Sequence, residues 1–267
     1  VLLSELVSSW RESIEVYDAI AADYDGLFTA PGYRHSYDRL AGEYVSRLLP
    51  AEPGVIVDAG CGTGRWSSQW LALGHRVIGI EQSPQMIAQV HKRKLGDRFC
   101  LIEDSMDKAV ITPGSVDLVV ALGSLHYLAD PGLAMRRFAE WLKPGGWVCV
   151  YTDSLAALVL ELLRLGKQEE ALLRLKTRRG VWLQGDTTAE LHLYDREAME
   201  NLFRSAGLID IACSGLLVTA SAWDKARSAE AAIADEEAFL DLERTLMADP
   251  AMADAGKHII ARGRRPA

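Results

Sequence analysis

The chain has 267 residues, 49% of them apolar and 25% charged, which supplies a sizeable core and excludes long disorder. Its formal net charge of −8 argues against a nucleic-acid partner, because the basic runs at residues 91–94 and 174–179 read as solvated helix faces. Cys61, Cys100, Cys149 and Cys213 are scattered, so no metal site is expected and reduced thiols in a cytoplasmic protein fit them.

In chain order, Ile14, Tyr17, Ala21, Tyr24 and Phe28 mark one helical face within residues 9–28. A second amphipathic stretch, with Leu40, Tyr44, Leu48 and Leu49, stops at Pro50, and residues 1–50 read as an N-terminal helical cap. The opening Val1 in place of Met fits a trimmed start, no basic-then-apolar leader precedes the cap, and no apolar run predicts a membrane span. Val55-Ile56-Val57 then enters Asp58-Ala59-Gly60-Cys61-Gly62-Thr63-Gly64, and a helix with Trp66, Trp70 and Leu71 follows. Short apolar strands recur at residues 76–80, 99–102, 116–122 and 147–151, separated by helices. Ser83 before Pro84 is a helix start, and the Lys143-Pro144-Gly145-Gly146 run is a stop. This rhythm over residues 51–154 predicts an α/β core with a mostly parallel sheet covered on both faces.

Residues 155–193 break the rhythm. Rich in Leu, Lys, Arg and Glu, they read as a helical insertion capping the open end of the sheet, an acceptor-side lid, with surface embellishment as the alternative. Residues 194–267 return to the core: a helix capped by Asp195, a strand over 208–218 bent at Gly215, helices over 222–248 and a last strand over 257–262.

The glycine-rich turn lets the backbone reverse sharply and lets a ligand approach without a Cβ between. Two details bear on that ligand. A dinucleotide fingerprint would place a third glycine where Arg65 stands. Asp58, just before the glycines, would repel a pyrophosphate and suit an ammonium and sulfonium. Glu81 ends the second strand, where a carboxylate can accept from both ribose hydroxyls. Asp104 ends the third and could accept from an adenine amino group, or simply cap a turn. Met86 and Met106 could flank the adenine, or pack in the core.

The order from Val57 to Gly64, then Gly79-Ile80-Glu81-Gln82-Ser83-Pro84-Gln85-Met86, Glu103-Asp104-Ser105, Asp117-Leu118-Val119-Val120 and Leu142-Lys143-Pro144-Gly145-Gly146 resembles the class I S-adenosylmethionine-dependent methyltransferases. It looks most like their small-molecule branch, related to the ubiquinone and menaquinone biosynthesis enzymes. The resemblance implies a Rossmann-like seven-stranded sheet whose last strand is antiparallel. It implies that Gly60, Gly62 and Gly64, with Cys61, line the methionine portion of S-adenosylmethionine and later of S-adenosylhomocysteine. It further implies Glu81, with Gln82, at the ribose, Asp104 and Ser105 at the adenine, and Leu122 and Gly123 beside the sulfonium. Tyr17-Asp18 and Tyr24-Asp25 resemble the tyrosine-aspartate element that closes over this cofactor, although both tyrosines also lie on the apolar stripe.

Methyl transfer needs an aligned acceptor lone pair and, for a hydroxyl or ammonium, a base. His126 is the candidate base, with a structural role as its alternative, and His35 is a weaker candidate. The expected partner is a small-molecule methyl acceptor, such as a secondary metabolite, methylated on O or N. An NAD-dependent dehydrogenase and a non-catalytic S-adenosylmethionine-binding protein are the competing readings. No Asn/Asp-Pro-Pro-Tyr/Phe tetrapeptide for base methylation follows the fourth strand.

Overall fold

The strands carry apolar side chains on both pleats, so each must be sandwiched, and the structure shows how. The computed structural model describes residues 10–267, which form nine strands and eleven α-helices. The first nine residues of the expected N-terminal cap lie outside the described residues. The cap comprises α1 (Ile14–Ile20), a 3-10 turn (Asp25–Phe28) and α2 (Tyr33–Ser46). The core runs β1 (Val55–Ala59), α3 (Arg65–Ala72), β2 (Arg76–Glu81), α4 (Pro84–Arg93), β3 (Phe99–Glu103), β4 (Val116–Leu122), α5 (Pro131–Trp141) and β5 (Leu142–Asp153).

Helix starts follow local chemistry. Ser83 accepts from the Met86 N–H at 3.2 Å and Asp130 from the Leu133 N–H at 3.0 Å, each with proline in the first turn.

Residues 155–193 depart from the all-helical expectation. Helices α6 (Leu155–Arg164) and α7 (Gln168–Thr177) are followed by an antiparallel hairpin of β6 (Arg179–Gln184) and β7 (Thr187–His192). Its two-residue loop is Gly185-Asp186, with Gly185 at φ +56°. That pair, between runs holding Val181, Trp182, Thr187 and Thr188, is a hairpin signal that the leucine-rich helices before it overshadow.

The chain then adds α8 (Arg196–Ser205), β8 (Ile209–Leu216), α9 (Thr219–Ala222), α10 (Lys225–Ala234), α11 (Glu236–Ala248) and β9 (His258–Arg264). The irregularity in β8 falls at Asp210, whose φ is +52°, and not at Gly215. Gly215 is instead a close approach: a Cβ there would stand 2.2 Å from the Met252 carbonyl oxygen.

The seven-stranded sheet has the order β3-β2-β1-β4-β5-β9-β8, with β9 antiparallel to both neighbours. Strand alternation divides the core. Val57, Ala59, Val119 and Ala121 pack with Phe138 and Phe203 on the α5/α8 side. Ile56, Leu118 and Val120 pack with Leu40, Trp70 and Phe239 on the α2/α3/α11 side. A smaller cluster of Leu155, Leu191 and Leu193, with Tyr127 and Trp182 against it, packs residues 155–193 on the turn that follows β4. No helix among the described residues is long and apolar enough to cross a membrane.

Candidate active site

Strand order reverses between β1 and β4, and the carboxyl ends of flanking strands part there to leave a crevice. A cavity fills it, walled by Gly60 and Gly62 after β1, Glu81 and Gln82 at the end of β2, Asp104 to Met106 after β3, and Leu122 to Ser124 after β4. Ser13, Tyr17 and Tyr24 close it from the N-terminal cap.

Gly60, Gly62 and Gly64 take φ of +80°, +56° and +78°, a region that L side chains enter only with strain. At Gly60 space adds a second constraint, because a Cβ would sit 2.4 Å from the Ser124 Cβ. Ser124 in turn donates from its hydroxyl to the Ala59 carbonyl at 2.6 Å, tying the ends of β1 and β4 together.

Glu81 is fixed by backbone donors. The Gly62 N–H reaches Oε2 at 2.9 Å, and the Gln82 and Ser83 N–H groups reach Oε1 at 2.8 Å each. Burial pushes its carboxyl above the usual range, and these three amides pull it back part of the way. The two amides occupy both lone-pair sites of Oε1, whereas Oε2, with one donor, retains a site for a ligand hydroxyl. Asp104 accepts from the Ser105 N–H at 2.7 Å, a turn contact that leaves its other oxygen unengaged by the described residues.

Two aspartates fasten the cap, and their neighbouring tyrosines face inward. Asp18 accepts from the Ser83 hydroxyl and the Gln85 N–H, holding α1 at the start of α4. Asp25 accepts from the Thr63 hydroxyl at 2.6 Å and pairs with Arg93, holding the 3-10 turn to the glycine loop. Further forward, Trp10 donates to the Tyr127 carbonyl at 2.7 Å. The Glu190 N–H donates to the Arg11 carbonyl at 3.0 Å, joining the cap to the hairpin.

A second chamber of about 270 Å³ adjoins the first and shares Tyr17, Tyr24, Leu122, Gly123 and Tyr127 with it. His126 lines this chamber, not the first. It is 2% exposed, and its Nδ1 has no hydrogen-bond partner among the described residues. Burial pushes its pKa down to about 4, against the pull of Asp153, so the imidazole is neutral at physiological pH. His258 also lines the chamber, with Nδ1 2.8 Å from Asp153 and Nε2 3.3 Å from the Tyr33 hydroxyl.

Not every expected residue reaches the first cavity. Asp58, Cys61, Gly64 and Met86 stand behind its wall. Asp58 accepts from the Ser67 hydroxyl of α3 at 2.6 Å, because alternation along β1 puts it with Ile56 on the α3 side. Met86 is fully buried core. His35 is taken up by the Phe28 carbonyl at 2.8 Å and Glu236 at 3.1 Å and lines neither chamber. Ser13, Ile80, Ser124, Tyr127 and Leu128 join the wall without having been singled out; the last three flank Gly123 and His126 and could have been read from that adjacency.

Doubly wound α/β topology, a glycine turn after β1 and an acid ending β2 form a crevice at the switch point, the place where open α/β sheets take their ligands. The chain belongs to the methyltransferase-domain family, which matches residues 33–212. It is 32% identical over 115 residues to the ubiquinone biosynthesis O-methyltransferase of Xanthomonas euvesicatoria pv. vesicatoria, covering 42% of this chain and 48% of that one. It is 30% identical over 135 residues to the malonyl-[acyl-carrier protein] O-methyltransferase of Yersinia pestis, covering 50% of each. The chain thus spans about half the length of these curated relatives. In structure it is similar to Haemonchus contortus phosphoethanolamine N-methyltransferase 2, solved with phosphomonomethylethanolamine and S-adenosylhomocysteine. The TM-score is 0.63 at 19% identity, over 98% of this chain and 61% of that one. The comparisons give the dehydrogenase reading no support.

Proposed function

We propose that the chain is an S-adenosylmethionine-dependent methyltransferase acting on an O or N atom of a small molecule. One observation carries the reading: the described wall of the first cavity holds two carboxylates, Glu81 and Asp104, and no Lys, Arg or His. Such a wall repels a dinucleotide's pyrophosphate and accepts a nucleoside that carries positive charge.

The donor brings a methyl group already activated on a sulfonium. The chain's residues have to bind, orient and exclude water. Glu81 accepts from a ribose hydroxyl, with Gln82 beside it. Asp104 and Ser105 face the base edge, and Met106 packs beneath it. Gly60 and Gly62 leave room for the amino-acid portion, with Cys61 and Gly64 holding the turn from behind. Leu122 and Gly123 stand at the opening into the second chamber, which receives the acceptor. Tyr17 and Tyr24 cover the junction, and residues 155–193 form the acceptor-side lid. His126, neutral and buried, serves this reading better as a hydrogen-bond partner for the acceptor than as a strong base.

The test is calorimetric titration with S-adenosylhomocysteine. Loss of charge-assisted bonds of roughly 2 kcal/mol predicts about thirtyfold weaker binding by Glu81→Gln and weaker still by Glu81→Ala. Circular dichroism checks that each variant is folded. Unchanged affinity in a folded Glu81→Ala protein, or preferential uptake of a nicotinamide dinucleotide by the wild type, sinks the assignment.

A further inference from the structure

The second chamber has a chemistry of its own. Its middle is aromatic. Tyr33 and Tyr37 meet edge to face at 5.4 Å between centroids, Tyr37 and Tyr151 at 6.1 Å, and Tyr127 lies 5.9 Å from Trp182. Burial pushes the phenols of Tyr33, Tyr127 and Tyr151 well up, so this zone is uncharged at neutral pH. Planar faces and edges of this kind accept a ring by offset or edge-on stacking.

The part of the wall built by α2, α10 and the start of β9 is different. Arg34, Lys225 and Lys257 line it. The carboxylates beside them are already engaged. Glu161 takes Lys257 at 2.8 Å and Lys225 at 3.6 Å, and Asp153 takes His258 at 2.8 Å. Arg34 forms no ion pair with any described residue, yet its charge acts on Tyr24, Tyr33 and Tyr37, which places it against the aromatic zone. With His258 left out of the count, the three cations outnumber the two carboxylates.

Polar need is also unmet nearer Gly123. The buried His126 Nδ1 lacks a described partner, and an unmatched buried polar atom is costly unless a ligand satisfies it.

We infer that the acceptor is an aromatic compound bearing an anionic substituent, its ring in the tyrosine zone, its anionic group on Arg34 with Lys225 and Lys257 behind, and its reacting heteroatom toward Gly123 and His126. This deepens the methyltransferase reading and rests on it. An aromatic zone alone would also suit an alkylammonium through cation–π attraction. The surplus of cations on the adjoining wall repels such a ligand, and no described carboxylate there is left over to offset it.

Three probes of nearly one shape decide the matter: 4-hydroxybenzoate, its neutral methyl ester and the cation tyramine. Each is titrated calorimetrically into the protein, alone and saturated with S-adenosylhomocysteine. The expected order is benzoate, then ester, then tyramine, with the benzoate ahead of the ester by about tenfold for a partly exposed charge-assisted contact. Arg34→Gln should weaken benzoate by about tenfold and leave the ester and S-adenosylhomocysteine within about twofold. Lys225→Gln provides a second, smaller loss should Arg34→Gln fail to fold, and the wild-type order stands without either variant. Equal binding of benzoate and ester, tighter binding of tyramine, uniform weakening of all probes in Arg34→Gln, or no binding of any probe overturns the inference. Failure of the underlying reading is separate: S-adenosylhomocysteine itself would not bind, while the probes titrated alone still report on the chamber.

Discussion

Asp58 offers a measurement in which the site's burial is read as a pH dependence. It is 4% exposed and held by Ser67, and burial pushes its pKa up to about 6 against the opposing pull of Ser67 and Arg65. Its unfolded value is about 3.9. The folded state therefore binds the proton more tightly, and the associated stability is present below about pH 4 and lost as pH rises through about 6. Integrating that shift between pH 5 and pH 8 gives a loss of roughly 1.5 kcal/mol from this one group. Asp58→Asn keeps an oxygen for the Ser67 hydroxyl and cannot titrate. Urea unfolding at both pH values, followed by tryptophan fluorescence, yields the double difference, in which titrations shared by the two proteins cancel. The variant should gain roughly 1.5 kcal/mol on the wild type from pH 5 to pH 8, or about 3–6 °C in Tm. An identical effect at both pH values, or a gain on the acid side, refutes the buried-carboxyl account.

Two further outcomes are open to measurement. The His126 ring should remain neutral at pH 5.5 in a nitrogen-resolved NMR titration, and the stability it confers should be lost only as pH falls from about 6.5 through about 4; protonation near 6.5 would contradict its burial, while agreement means that any rate limb near that pH comes from another group. Glu243, fully buried, accepts from the Val218 N–H at 2.8 Å, the Thr219 N–H at 2.9 Å and the Thr219 hydroxyl at 2.5 Å. Glu243→Ala strands all three donors and should cost about 3–5 kcal/mol in urea unfolding; a loss under about 1 kcal/mol would show that water or a neighbour replaces the carboxylate.

The core was legible because its signals are local. Val55 to Val57 leading into three positive-φ glycines, and Ser83 before Pro84, state strand, turn and helix within a few residues. Glu81 and Gly123 could be placed because one ends β2 and the other follows the end of β4, and the carboxyl ends of strands beside the switch point border the crevice. Asp58 could not be aimed from sequence: both faces of β1 are buried, so alternation carries no inside-outside contrast and only the packing shows that it shares a side with Ile56. The hairpin is masked in the sequence because the leucine-rich run ending at Thr177 outweighs the short Gly185-Asp186 loop signal. The second chamber was the least legible part. Tyr33, Asp153 and His258 come from α2, β5 and β9, and no motif links positions that only the fold brings together.

Tyr17 walls both cavities and belongs to a segment tied to the Tyr127 carbonyl by Trp10 and to the hairpin by Arg11. Displacing that segment unseals both compartments at once. On the methyltransferase reading proposed above, that segment is a wall common to the donor and acceptor compartments, so a change in it is felt on both sides of the junction.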